Sequence, residues 1–529
     1  MERAPENYTR SGWIAAAALL GVLVAVSFIP PQSVGGVKFR RANILSDLVA
    51  FDDSAADTPS SAVFDEEEFH VDMAEVAERI ETEVATPHVQ TLFEWTIGRD
   101  TTLRPLFRPD TVLCPERRIV PIEEYDSVRT DGMRAFYDKL LTDGRPVRIA
   151  VLGDSFIEGD ILTADLRERM QETFGGGGPG FAPVASPLTY FRRTVKTVSK
   201  GWTAYNIMQR KKTPESLRQK FYVSGWVCQA GPGASTRWEP TAYRRKLDDC
   251  TCGRIFFLSP DSSRVEVTVN DTLRQEFAIA GDPSVRQIAV TAPRIGSLGF
   301  RVVRGHERFV GYGAVMEGEG VSVDNYSIRS NNGQAMFWTD PSVDAQIDAM
   351  LDYDLVILQY GLNIMQQGVY NYTNYAAKIE KMVGFVRECF PGAAVLVMGV
   401  SDRSVRSDTD FERMDAVPHM ISYQRLAARR SQAAFWPTSD AMRALGGMER
   451  FVRNGWAGKD YTHINYAGGT RIAHALFDAL NHRACTLRRS HRRSHRQRQP
   501  EVPVMDSLQH ERIRRQLLYR PRPIDPSAP

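Results

Sequence analysis

Cysteine is scarce in this chain, with six in 529 residues. That is too few for a disulfide framework, so the fold must rest on apolar cores. Their spacing selects no pairing, and one or two bridges are expected only if the chain is exported. Cys250 and Cys252 form a lone Cys-x-Cys without a second pair or a nearby histidine, so no zinc ligand set is read. Net charge is also missing. Lys+Arg number 66 against 64 Asp+Glu, leaving +2, which argues against a dedicated nucleic-acid binder. Long hydrophobic runs are absent apart from residues 13–29, which excludes a polytopic membrane protein. No Gly-x-Ser-x-Gly elbow occurs, which counts against one common serine-esterase fold. The chain does have 43% apolar and 25% charged residues, enough for two or three domains with buried cores.

Residues 13–29 carry no charge and end at Pro30-Pro31. As a helix the run would rise roughly 26 Å, about the hydrocarbon thickness of a bilayer. It lacks a small-x-small cleavage site, so residues 1–31 are expected to be an uncleaved membrane anchor. Arg3 and Arg10 on one side and Lys38, Arg40 and Arg41 on the other leave the positive-inside rule undecided. A large domain following a first hydrophobic segment is expected to translocate. Residues 32–529 are therefore placed outside the cytoplasm, in the periplasm or at the cell surface.

Residues 32–115 are polar and acidic, with Asp65-Glu66-Glu67-Glu68 at their centre, and read as a linker with one amphipathic helix near 71–84. Residues 147–152 are a buried parallel strand ending in Gly153-Asp154-Ser155, followed by a helix with Leu162, Leu166, Met170 and Phe174 on one face. This strand–loop–helix unit opens an α/β fold over 116–184. Between 185 and 318, short runs rich in Val, Ile, Phe and Thr, separated by turns, predict an inserted β-sandwich. Helix–strand alternation resumes over 319–482. The last segment, 483–529, holds 12 Arg against 4 acidic residues, and is read as a basic disordered tail able to contact an anionic polymer.

Three segments carry chemistry. Ser155 follows a predicted parallel strand, at the edge where open α/β sheets bind ligands. Asp460-Tyr461-Thr462-His463 lies just before the closing helix, and Asp-x-x-His can supply a base and its orienting carboxylate from one turn. Gly361-Leu362-Asn363 follows the strand at 355–359, where an amide can donate to an oxyanion. Gly175 to Gly180 formally fits a G-x-G-x-x-G pattern but follows a helix rather than a strand, so it is read as a flexible loop. Trp202, Trp226 and Trp238 are candidates for stacking on sugar rings, although core packing is the commoner fate of such residues.

In this order the three segments resemble the SGNH (GDSL-type) hydrolase superfamily. The context around 149–163, the 175–181 loop and the run Phe435-Trp436 to His463 is most similar to the peptidoglycan O-acetylesterase subfamily, which carries a carbohydrate-binding-like β domain between its blocks. The resemblance implies a three-layer α/β/α fold with a parallel sheet plus an inserted all-β sandwich, here behind an N-terminal transmembrane helix. It implies Ser155 as nucleophile, His463 as base and Asp460 as its orienter. It implies an oxyanion hole of the Ser155 N–H, the Asn363 side chain and a backbone N–H at Ser330. The subfamily reads Asn-x-Gly-x-x-Gly where this chain has Asn325 to Ser330, so Ser327 and Ser330 stand in for glycines. No metal or cofactor is implied. The implied partner is an O-acetylated cell-envelope glycan, with peptidoglycan the first guess. An O-acetyltransferase using the same triad and a non-catalytic glycan-binding module are the alternatives.

Overall fold

The computed structural model describes residues 18, 32–34, 37–39, 71–84, 92–98, 112–115, 119–142, 145–407 and 410–498. The chain divides into two units, Met1–His70 and Val71–Pro529. In the first, Gln32–Val34 and Val37–Phe39 pair as an antiparallel hairpin. The expected anchor at 13–29 lies outside the described residues, Ala18 apart. Among the described residues, no helix is long and apolar enough to cross a membrane.

In the second unit five parallel strands run in the order Val321–Ser327, Val147–Gly153, Leu355–Gln359, Ala394–Met398 and Ala434–Trp436. The three central strands are buried along their whole length, which explains why, Arg148 and Gln359 apart, they are apolar runs rather than alternating ones. Helices Thr163–Phe174 and Tyr466–Arg498 pack on each other, and Pro341–Leu351, Thr373–Cys389 and Ala416–Arg430 pack in succession.

The expected fold class requires correction. The larger sheet is mixed and ten-stranded, so the unit is β-rich and not a single parallel sheet with a separable sandwich inserted. Strand Trp226–Pro240 pairs with Val310–Glu317 near its start and with Leu298–Arg304 near its end, which makes the two expected leaves one continuous sheet. Leu92–Thr96, read as linker, adds to the sheet edge in parallel with Asp282–Thr291. An open edge strand is a liability, and Phe93 and Trp95 gain burial by covering it.

The two sheets also share a core. Along Cys252–Ser259, Phe256 and Leu258 join the apolar cluster of the α/β part, while Ile255 and Phe257 face the cluster inside the mixed sheet. Both faces of this strand are buried, so it lacks the polar alternation of a solvent-facing sheet. Arg148, on Val147–Gly153, crosses the same boundary. Its guanidinium meets Asp324 at 3.0 Å and pairs with Glu317, which also accepts from Arg254 at 2.8 Å. A buried charge survives only when its partners are in place, so this network fixes one sheet against the other.

The terminal helix runs on to Arg498, into the segment read as a tail. Cys485 on this helix is bridged to Cys114, Arg483 forms a bidentate pair with Glu124 at 2.7 and 2.8 Å, and Asn481 donates to the Leu113 carbonyl at 2.7 Å. The other four cysteines are free thiols. Thiol titration in denaturant is expected to count four groups before reduction and six after it. Cys114→Ser is expected to lower stability by about 2–4 kcal/mol. Six thiols before reduction would contradict the bridge.

Candidate active site

The site starts at the carboxyl end of Val147–Gly153. A side chain at Gly153 would meet the side-chain ends of Gln359 and Ile157 at 2.8 Å, so glycine lets both pack closely against the turn. Asp154 is fully buried beneath the turn, where one carboxylate oxygen accepts the Phe156 N–H at 2.9 Å. Ser155 then stands at the sheet edge, with its Oγ 3.3 Å from His463 Nε2 across 308 positions of sequence.

His463 is held by its own loop. Asp460 Oδ2 lies 2.6 Å from His463 Nδ1, and Asp460 Oδ1 accepts the backbone N–H groups of Thr462 and His463, each at 3.1 Å. One carboxylate therefore shapes the turn and orients the ring. Two residues on, Asn465 accepts from the N–H groups of Ala467 and Gly468 and starts the terminal helix. Hydrogen bonding to Asp460 pushes the His463 imidazole above its ordinary value. Burial would raise Asp460, but the His463 ring and the two N–H donors outweigh it and hold the carboxyl at about 2. Asp154 goes the other way, since burial lifts it to about 7 against the Phe156 N–H and the charge on His463. Hydroxyl, imidazole and carboxylate thus stand in the order that general-base activation of a nucleophile needs.

Asn363 reaches the site from the loop after Leu355–Gln359. Its amide nitrogen donates to Asp154 Oδ2 at 3.2 Å and to the Asn331 carbonyl at 2.8 Å, so both amide protons are engaged within the protein. Ser330 is exposed and has φ of 61°, the left-handed backbone that favours glycine. Its loop is fastened where the Ile328 N–H donates to the Gly153 carbonyl at 2.9 Å. The Ser327 N–H donates to Asn325 Oδ1 at 3.0 Å, and the Asn325 amide binds Ile157 O and Thr163 Oγ1 at 2.8 and 2.7 Å. Asn325 thereby ties the neighbouring strand to the turn that follows Ser155.

Three contributors had no signal in the sequence reading. Arg403, in the loop after Ala394–Met398, lends positive charge to Asp460 and His463, while burial pushes its own guanidinium down. Tyr461 stacks on Phe411 with ring centroids 3.6 Å apart, which braces the Asp460–His463 turn. The Tyr466 hydroxyl lies within hydrogen-bond reach of the carbonyls of Gly159, at 3.1 Å, and Phe191, at 2.7 Å. A single Arg, Phe or Tyr in a loop carries no periodicity, and only the tertiary structure reveals its neighbours.

No protein-family model matches the sequence, and it matches no curated protein. Among solved structures, a peptidoglycan O-acetylesterase is similar at 22% identity, over 69% of this chain and 99% of that one, with a TM-score of 0.56. An acetyl xylan esterase is similar at 18% identity, over 30% of this chain and 81% of that one, with a TM-score of 0.23. A family two carbohydrate esterase from Cellvibrio japonicus is similar at 8% identity, over 56% of this chain and 99% of that one, also with a TM-score of 0.23. The first likeness is one of fold. The other two are too distant to carry weight.

The ring environment is directly testable. In a proton NMR titration His463 is expected to titrate above the ordinary imidazole value of about 6.5. In Asp460→Asn it is expected to fall back toward that value. An unshifted ring in the parent would contradict the Asp460 contact.

Proposed function

We propose that the protein is a serine esterase that removes O-acetyl groups from a polysaccharide of the cell envelope, with peptidoglycan the first candidate. The observation that carries this reading is the contact order Ser155–His463–Asp460 at the carboxyl edge of a parallel sheet. The shared fold with a peptidoglycan O-acetylesterase supports the acetylated glycan as substrate. The Cys114–Cys485 bridge fits an oxidising compartment, where such a glycan is found.

In this mechanism His463 Nε2 takes the proton of Ser155 Oγ as the oxygen attacks the ester carbonyl. Asp460 stabilises the imidazolium that forms. The tetrahedral oxyanion is met by the backbone N–H groups of Ser155 and Ser330 and by the Asn363 amide, which turns one of its two protons from Asp154 or Asn331 toward the new charge. His463 then returns the proton to the leaving sugar oxygen, and the acetyl group remains on Ser155. Water, deprotonated by the same imidazole, releases acetate and restores the hydroxyl. A sugar hydroxyl in place of water would make the reaction a transfer.

The base must be neutral, and Asp460 raises its pKa. Activity is therefore expected to fall as pH drops through an inflection above about 6.5. Ser155→Ala and His463→Ala are each expected to lower kcat on a chromogenic acetyl ester by roughly 10³- to 10⁶-fold. A fluorophosphonate probe is expected to label the parent and not Ser155→Ala. Parent-level turnover in either variant would exclude the assignment. Acetyl appearing on added glycan faster than free acetate would replace hydrolase with transferase.

A further inference from the structure

Ser330 stands on a short span held at both ends. On one side the Ile328 N–H donates to the Gly153 carbonyl at 2.9 Å, and on the other the Asn331 carbonyl accepts the Asn363 amide at 2.8 Å. The Asn331 N–H closes back on the Ile328 carbonyl at 3.3 Å, so Arg329 and Ser330 are the two central residues of a tight turn. Both are exposed, while Ile328 and Asn331 are buried. Core packing therefore fixes the ends of the turn and leaves its middle to other forces.

The middle is where the strain sits. Ser330 has φ of 61°, and a residue with a Cβ keeps that backbone only when its surroundings impose it. Relaxation of this one residue would re-aim its N–H. Among the described residues, nothing accepts the N–H of Ser330 or that of Ser155. Both donors are therefore open to an acceptor from outside the protein.

One side chain acts on the middle of the turn. Arg329 reaches back to Glu158 with two bonds, Nε to Oε1 at 3.1 Å and an amino group to Oε2. Glu158 belongs to the turn that carries the nucleophile, since its N–H donates to the Ser155 carbonyl at 3.3 Å. Among the described residues each is the other's only charged partner. The Glu158 side chain is 7% exposed, against 55% for Arg329. A pair between two exposed chains contributes little. Here a carboxylate shut away from water needs its cation, and the forked contact fixes direction as well as distance. The pair thus joins the Ser155 turn to the residue before Ser330 across 171 positions of sequence.

We infer that Arg329 and Glu158 form a positioning clamp that holds Ser330 in its left-handed turn and so aims its N–H at the oxyanion. This rests on the serine-esterase reading for the oxyanion, and goes beyond it in naming what keeps a donor that is not glycine in place. Arg329→Gln is the first test. Arg329→Ala/Glu158→Gln, which leaves no buried charge unpaired, is made beside it. Each is expected to lower kcat on the acetyl ester about 10- to 100-fold, short of the roughly 10²- to 10³-fold cost of losing a whole oxyanion donor. KM is expected to stay within about twofold and the pH inflection of kcat to stay in place, because neither ground-state binding nor His463 is touched. In a Ser330→Gly background the same substitutions are expected to cost less than about threefold, since glycine takes the left-handed turn without a clamp. An equal penalty in both backgrounds would overturn the clamp. So would unchanged kcat in both variants, or a shifted inflection, which would mean that the pair acts through charge on His463. A second readout needs no turnover. Hydrogen exchange at the bonded Ile328 and Asn331 N–H groups is expected to quicken in both variants, and unchanged exchange would overturn the fastening itself. A parent that neither turns over acetyl esters nor reacts with the fluorophosphonate would sink the esterase reading, while the exchange result would still decide whether the pair holds the turn.

Discussion

The parallel pairing of Val147–Gly153 with Leu355–Gln359 on one side and Val321–Ser327 on the other is the constraint on which the rest depends. Parallel strands all end at the same edge. The loops that follow them therefore converge, however far apart they lie in sequence. Gly153, Ser327 and Gln359 share register across three strands, and Asp154, the 328–331 loop and Asn363 leave from that line. The Asp460–His463 turn comes to the same edge from the start of the terminal helix. Burial on both faces holds these strands, and Arg148 locks the arrangement against the mixed sheet through Glu317 and Asp324.

Two carboxylates at this edge are driven in opposite directions by their surroundings. Asp460 is half-exposed, receives two backbone N–H bonds and faces an imidazole, so it stays ionised. Asp154 is sealed from water with one backbone donor and the Asn363 amide, and its carboxyl sits near neutrality at about 7. Divergent environments of this kind assign separate tasks to chemically similar groups. Asp460 can compensate a charged imidazole. Asp154 instead anchors Asn363, and its charge governs how firmly the amide is held.

Which residues meet at the candidate site was more legible in the sequence than the architecture. Val147 to Leu152 reads as a buried strand because, Arg148 apart, its residues are apolar without alternation, and a Ser following such a strand emerges at the sheet edge. The Asp460 to His463 spacing is local, so one turn supplies both groups. The mixed sheet was read as a separate sandwich because its short strands repeat without helices between them, and only the pairing partners of Trp226–Pro240 reveal that this strand joins both leaves. Leu92–Thr96 was lost in an acidic stretch, since a five-residue edge strand has too little pattern to stand out. Asn363 was identified by position, but its bonds to Asp154 and Asn331 depend on loops 209 and 32 residues away in sequence. That Ser330 stands where the resemblance implies glycine was visible, yet only the backbone shows that it adopts the left-handed conformation. Likewise, no spacing rule joins Cys114 to Cys485, which sit 371 positions apart.

The central claim is that Ser155, made nucleophilic by His463, carries the acyl group. It is tested most directly by acid-quenching the protein during turnover of an acetyl ester and locating the adduct by peptide mass spectrometry. The account predicts an acetyl group on the peptide containing Ser155, formed in a burst proportional to enzyme concentration. An adduct on another residue, or one that persists in Ser155→Ala, would contradict it.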